Sequence, residues 1–443
     1  MIVQLDQKEW ADSALLVFHM KTKTLEEIFS ENSNQNGVPI LGENVWAEIN
    51  RNWSKTQIRT ELASYIVKYN PKFPLIEIPK EKMEEKFHAL RNMNTSDFLM
   101  TNFSNVVEKY NDYKCPFSEY GLLVIDLHNN FNPVSNYFQQ ENRMSCSSYG
   151  FESPLTIWKT QKLLEKMNWT FWRLGNKSLG LTEYRGSFRL GAYVATQFKP
   201  NVAKTIYDIS DARIVCDTSC GWGDRLAGFY GGANTIAYYG CDPNEKVFET
   251  YKLQCKEYER LLGSTPKITE GTDYFECRGK KTVVIFRKPA EDMIWPDVQF
   301  DCTFTSPPYF STEQYNKGGL NEKDQSWSRY SEYDLWKTGF YFPMMDRVWE
   351  RTKSGGFVCI NIMDPQVKGK RYRACDDLVD YMKQKQNCHF LGQIGMRIKQ
   401  RPKKLDTMTL RHHLSTIFIE NVWCFSKDVK SNFNLPTLEK LFT

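Results

Sequence analysis

The sequence has no Cys-x-x-Cys pair and no His/Cys grouping with the spacing of zinc ligands. Its twelve cysteines are scattered, Cys216 and Cys220 being the nearest two. Most sit in apolar runs such as Phe357-Val358-Cys359-Ile360, where a thiol is a small hydrophobe. A zinc module and a disulfide scaffold are excluded, no metal is expected, and a reducing intracellular compartment is. No apolar run is long enough to cross a bilayer and no signal peptide is legible at the N-terminus, so the expectation is a soluble protein without a membrane partner. Charge of one sign is also in short supply. The 58 Lys and Arg against 53 Asp and Glu give a formal charge of +5, which permits a polyanionic partner without requiring one.

What is present is length and aromatic content. With 443 residues the chain has room for two or three domains and a large core. Hydrophobic content of 41% is ordinary, whereas aromatic content of 14%, with 12 Trp and 23 Tyr, predicts aromatic surfaces beyond the core. The chain is organised around Thr305-Ser306-Pro307-Pro308-Tyr309-Phe310. The preceding Phe300–Phe304 run reads as a buried strand, and two prolines cannot donate to a ladder, so the strand stops there. A hydroxyl, two carbonyls of set direction and an aromatic face then meet at the carboxyl end of a strand, where open α/β sheets bind ligands. Such a corner suits both hydrogens of an exocyclic amine, with Tyr309 stacked on the ring that carries it. An ordinary strand-ending turn with a surface tyrosine fits the same six residues.

The second informative stretch is the strand Ala212–Cys216 running into Asp217-Thr218-Ser219-Cys220-Gly221-Trp222-Gly223-Asp224-Arg225-Leu226 and a helix. A strand, a Gly-x-Gly turn and a helix N-terminus suit a nucleotide-like ligand, although the later glycines of a dinucleotide fingerprint are missing. A strand Thr235–Gly240 follows, ending in Cys241-Asp242-Pro243-Asn244. An acid at that point, about twenty residues beyond the turn, is placed for ribose hydroxyls. Either Asp217 or Asp242 alone would more often be a helix cap.

Elsewhere, Trp46–Tyr69 reads as a helix with Ser54 as a possible N-cap and Arg51, Lys55 and Arg59 on it near Trp53. Gly121–Leu127 reads as a strand, and the first 150 residues show no repeat and no low-complexity tract. Pro200 stands where a helix begins. Residues 246–262 and 333–351 read as helices, 264–281 as a charged surface loop, and 310–327 as a polar, aromatic lid. Helix 376–385 precedes strands 390–398 and 416–426, expected to pair as an antiparallel hairpin at the sheet edge. Lys368, Lys370, Arg371 and Arg373 form one basic group, and Arg397, Lys399, Arg401, Lys403, Lys404 and Arg411 another. Basic loops at the end of a sheet that carries a base-sized pocket suit a nucleic-acid backbone, and solvated loop tips fit them equally.

Asp217-x-x-x-Gly221-x-Gly223, Asp242 and Ser306-Pro307-Pro308-Tyr309, in that order, resemble S-adenosylmethionine-dependent amino-methyltransferases of DNA. The longer phrase from Ser306 to Tyr315, with Gln325, Ser326 and Tyr330, is similar to the site-specific enzymes common in phages and other viruses. Phe198-Lys199-Pro200 resembles the family's cofactor-side motif and Ile419–Phe425 its closing strand, so the likeness covers roughly residues 185–428. It implies a Rossmann-like α/β methyltransferase sheet in residues 181–430; residues 1–180 before it read as a mixed α+β domain and those from 431 as a tail. It implies S-adenosylmethionine as cofactor, held by Phe198, Asp217, Ser219, Gly221, Gly223, Asp242, Pro243 and either Glu291 or Asp292, with Ser306 beside it. Ser306, Pro307, Pro308 and Tyr309 would carry the chemistry on a base flipped out of double-stranded DNA, with a slight lean to cytosine N4 over adenine N6. A homodimer is left open. Family members often read their target after the catalytic motifs, but here some 180 residues precede the first motif, so residues 1–180, alone or with the 310–327 and 364–373 loops, are expected to read it. An RNA amino-methyltransferase, a protein-glutamine methyltransferase (ranked lower, for want of Asn at 306) and a non-catalytic nucleic-acid-binding subunit are the alternatives.

Overall fold

The computed structural model describes residues 23–398 and 416–435. The chain divides into two units, one of residues up to 77 with 144–195, the other of 78–143 with the residues from 196 onward.

The first unit takes its regular structure chiefly from helices. The stretch expected as one helix from Trp46 is two, α1 (Glu43–Asn52) and α2 (Lys55–Tyr69). The break has a local cause. Trp53 is extended at φ −126°, and Ser54 Oγ accepts from the Gln57 N–H while the Gln57 side chain accepts from the Ser54 N–H. That reciprocal pair satisfies two orphan donors and starts a new helix. The apolar faces meet in a core of Ile49, Leu62, Ile66, Trp158, Phe171 and Phe188. Trp172 donates its indole N–H to Asn50 Oδ1 at 2.6 Å, so even this partly exposed ring is tied in.

The second unit is built on one large sheet. Its strands, in chain order, are β1 (Leu99–Met100), β2 (Val106–Val107), β3 (Gly121–Asp126), β4 (Ile214–Asp217), β5 (Ala237–Cys241), β6 (Lys267–Glu270), β7 (Tyr274–Arg278), β8 (Thr282–Phe286), β9 (Phe300–Thr305), β10 (Thr352–Asn361), β11 (Cys388–Arg397) and β12 (Ile417–Lys427). The spatial order is β1-β3-β11-β12-β10-β9-β4-β5-β8-β7-β6, with β2 on the end of β12. Strands β8, β5, β4, β9 and β10 are mutually parallel, and β12 is antiparallel to both β10 and β11. A parallel sheet flanked by helices on both faces is covered from both sides, and all six residues of β9 are buried, Asp301, Thr303 and Thr305 among them. Two of the covering helices are α3 (Pro200–Ile209) and α4 (Asp224–Gly231). Strand order and direction together give the expected Rossmann-like methyltransferase sheet, with β11–β12 as its antiparallel hairpin.

The structure corrects four expectations. The hairpin is not the edge, because β3 pairs in parallel with β11 and β1 pairs with β3. For the same reason the boundary does not fall at 180: Gly121–Asp126 buries Leu123, Val124 and Ile125 in the sheet of the second unit. Residues 264–281 are not a loop but hold β6 and β7, which extend the other edge, β7 antiparallel to β8 and β6 antiparallel to β7. The helix expected at 333–351 is interrupted by a π-turn at Lys337–Tyr341, ahead of α5 (Phe342–Arg351). Pro343 has no N–H to return to the carbonyl four residues back, and the ladder widens there.

Removing residues 1–150 takes β3 away and leaves the β11 backbone as a long unpaired edge. The expected outcome is aggregated protein on size-exclusion chromatography. A monodisperse, folded fragment would contradict the pairing.

Candidate active site at the carboxyl ends of the parallel strands

Because β4, β5, β8 and β9 are parallel, Asp217, Asp242, the 287–292 segment and Ser306–Tyr309 all leave from one end of the sheet. Asp217 is completely buried. Its carboxylate accepts from Arg225 Nε at 2.8 Å, the Tyr238 hydroxyl at 2.7 Å, the Thr305 hydroxyl at 2.9 Å and the Ser219 N–H at 3.1 Å. Four protein donors fill it, so Asp217 shapes the loop rather than reaching outward. Gly221 and Gly223 that follow are left-handed, with φ of +56° and +68°. A Cβ on Gly223 would lie 2.3 Å from the Gln254 side chain, so this turn requires glycine in both conformation and space.

Asp242 receives the Gly221 N–H at 2.8 Å and the Asn244 N–H at 2.9 Å, which closes the glycine turn onto the end of β5. Burial pushes its carboxyl up to about 6 against those bonds. At the end of β8 the two adjacent acids differ. Glu291 is buried and Asp292 exposed, and both bond Arg329 Nη1 at 2.8 Å. Burial lifts the Glu291 carboxyl to about 7, and its Oε2 is buried with no partner. Phe198 lies half-buried between Phe304, 5.6 Å away, and the Arg225 guanidinium, 5.4 Å from its ring.

At the end of β9, Ser306 Oγ donates to the Tyr309 hydroxyl at 3.4 Å. The Tyr309 hydroxyl has one proton and three acceptors, Glu420 Oε1 at 2.8 Å and the Asn361 carbonyl and side-chain oxygens at 3.3 Å. The carboxylate, closest and charged, takes it. Phe310 then adopts φ +52°, a conformation costly for a residue with a side chain. Residues 311–330 lie over the glycine turn and the loops after β5 and β8: Tyr315 meets the Trp222 ring at 5.9 Å, Asn321 donates to the Pro243 carbonyl at 3.4 Å and Arg329 holds Glu291. Thr312, Asn316, Gln325 and Ser326 in this segment each bury a polar side-chain atom without a partner.

The basic positions separate. Arg371 bonds Asp364 and Asp112 and lies 3.7 Å from the Tyr110 ring centre, Arg373 bonds Asp112 and Asp376, and Arg397 bonds Asp126 at 3.2 Å. These three are engaged within the protein, whereas Lys368 and Lys370 are exposed at a hairpin tip. Lys399, Arg401, Lys403, Lys404 and Arg411 lie outside the described residues. In the first unit, Lys55 and Arg59 face the ring of Trp169, at 5.7 and 5.5 Å, and not Trp53. Among the described residues no helix is long and apolar enough to cross a membrane, and no three His, Cys, Asp or Glu side chains are grouped to hold a metal.

Sequence reasoning missed Arg225, Thr305, Glu420 and Asn361. The signal for Arg225 was present, since it is a cation near the start of an otherwise largely apolar helix.

No family model matches the chain, and no curated protein does. Among solved structures, TrmN from Thermus thermophilus is 14% identical over 52% of this chain and 49% of its own, with a TM-score of 0.30. This chain thus spans about half of that protein. A putative rRNA-methylase from Clostridium thermocellum is 10% identical over 53% of this chain and all of its own, at 0.29. A SAM-dependent O-methyltransferase from Thermotoga maritima is 11% identical over 56% and 72%, at 0.31. What identifies the fold is the strand order itself.

Replacing Arg225 with Met leaves the Asp217 charge buried with one strong donor fewer, a change that costs about 3–5 kcal/mol. Urea unfolding followed by circular dichroism should show the loss. A difference under about 1 kcal/mol would mean that Arg225 does not hold the loop.

Proposed function

We propose that the protein transfers a methyl group from S-adenosylmethionine to the exocyclic amine of a base in double-stranded DNA, cytosine N4 before adenine N6. The observation that carries this reading is the hydrogen bond from Thr305 to Asp217, 2.9 Å long. It joins the residue before Ser306-Pro307-Pro308-Tyr309 to the acid that shapes the glycine turn, so a ligand of one loop lies against a ligand of the other.

The residues on the cofactor side fit the group. The Gly221–Gly223 turn lets a ligand approach the backbone, Asp242 stands at the end of β5 for ribose hydroxyls, and Glu291 is chosen over Asp292 for the adenine because a buried carboxylate oxygen without a partner suits a ring amine. Phe198, Ser219 and Pro243 complete that wall. When bound, S-adenosylmethionine supplies an electrophilic methyl group. The chain's own task is to orient the amine. Ser306 donates its proton to Tyr309, which leaves its lone pairs to accept an amine hydrogen, and the Pro307 carbonyl accepts the other. Those bonds draw the nitrogen lone pair out of ring conjugation and favour attack. Tyr309 stacks on the base, and Pro308 fixes the turn between them. Lys368 and Lys370, with the basic residues at 399–404, meet phosphates. The first unit reads the target.

Labelled S-adenosylmethionine with unmodified DNA, then nucleoside digestion and mass spectrometry, should yield methylcytosine or methyladenine. Ser306→Ala and Tyr309→Ala should each lose at least about 100-fold in rate. Label in RNA but not in DNA would overturn the choice of substrate, and label in neither would overturn the reading. Glu291→Ala should weaken S-adenosylmethionine binding by about 10-fold or more in calorimetry, the value of a charge-assisted hydrogen bond. Unchanged affinity would return the adenine to Asp292.

A further inference from the structure

The donors around Ser306 and Tyr309 form a directed chain. Ser306 Oγ donates to the Tyr309 hydroxyl at 3.4 Å, and the Tyr309 hydroxyl donates to Glu420 Oε1 at 2.8 Å. No other carboxylate bonds either hydroxyl among the described residues. Glu420 sits at the start of β12, and because β12 is antiparallel to β10 this start lies beside Asn361, at the carboxyl end of β10. Asn361 Nδ2 donates to the same Oε1 at 3.1 Å and to the Asn421 carbonyl at 3.1 Å, which fixes the carboxyl in place. Glu420 as a residue is only partly covered.

An amine that has accepted a methyl group carries one proton too many. We propose that Glu420, reached through Ser306 and Tyr309, is the acceptor of that proton; the inference rests on the proposed amine methylation. The N–H bond breaks and leaves its electron pair on nitrogen. Ser306 Oγ gains that proton and passes its own to the Tyr309 oxygen, and Tyr309 passes its own to Glu420 Oε1. Both hydroxyls end as they began, the carboxylate becomes a carboxylic acid, and the proton then leaves to solvent. Glu420 does not touch the base, so it is a positioning and proton-holding residue rather than a catalytic one.

The surroundings favour a carboxyl that takes up a proton readily. Burial raises its pKa above the ordinary carboxylate range, against bonds from Tyr309 and Asn361 and the charge of Lys109. The next residue in the strand, Asn421, donates its Nδ2 to Glu108 Oε1 at 2.6 Å, and Cys375 faces Tyr309. On β11 the residue opposite Glu420 is Met396, which adds no charge.

The test is the pH profile of single-turnover methyl transfer by the full chain, with cofactor affinity measured in parallel. In the wild type the rate should fall as pH drops through the ionisation of Glu420, because a protonated carboxyl accepts nothing. Glu420→Gln keeps the shape and the bonds from Tyr309 and Asn361. It should bind S-adenosylmethionine unchanged, lose roughly 100-fold in rate and lose the acid limb. Tyr309→Phe, which keeps the stacking ring, should flatten the same limb, and Glu420→Asp should retain it at reduced rate. A Gln variant with the wild-type rate and limb would overturn the relay while leaving the methylation standing. A Gln variant that fails to bind the cofactor, with an Asp variant that binds it and lacks the limb, would overturn it too. No transfer by the wild type to DNA or RNA would overturn both.

Discussion

The Asp217 carboxylate draws four stretches of chain to one point: the loop at Ser219, the helix at Arg225, β5 at Tyr238 and the end of β9 at Thr305. A charge with no exposed surface would be costly on its own, and four donors including a guanidinium are what make it tolerable. The consequence is geometric. The glycine turn and the Ser306–Tyr309 corner share one anchor, so neither can shift without stretching a charge-assisted bond.

A second anchor holds the other side. Asn361 and Glu420 fix the Tyr309 hydroxyl from β10 and β12, on the far side of β9 from β4. The Tyr309 ring is therefore held in one orientation by the protein's own groups. Donors and acceptors set in advance spare the reaction the work of arranging them. Orphaned buried atoms at Thr312, Asn316, Gln325, Ser326 and Glu291 give the opposite signal, polar capacity held in reserve.

The parallel strands were legible because apolar, β-branched runs end in residues that stop strands: Asp217 before the glycine turn, Asp242-Pro243 and Pro307-Pro308. The glycine turn and the acid after β5 were legible from spacing. Strands β6 and β7 were not, because an exposed edge hairpin with Lys267, Glu270, Glu276 and Arg278 on it has the composition of a loop. Strand β3 was read as a strand but assigned to the wrong unit, since its partner β11 lies some 270 residues away and no local pattern records such a pairing. Glu420 was hidden because an acid in a strand ordinarily marks the solvent face. The closed Arg371 and Arg373 pairs were hidden because Asp112, their shared partner, lies far off in sequence.

Phe310 sits one residue beyond Tyr309, at φ +52°, with its ring buried among Tyr333, Trp336 and Tyr372. The backbone there adopts an unfavourable twist while its side chain is gripped by these three rings. That aromatic cluster is therefore a remote adjustment screw for the corner. A changed ring volume at 333, 336 or 372 would therefore reach the Ser306–Tyr309 corner through the Phe310 backbone.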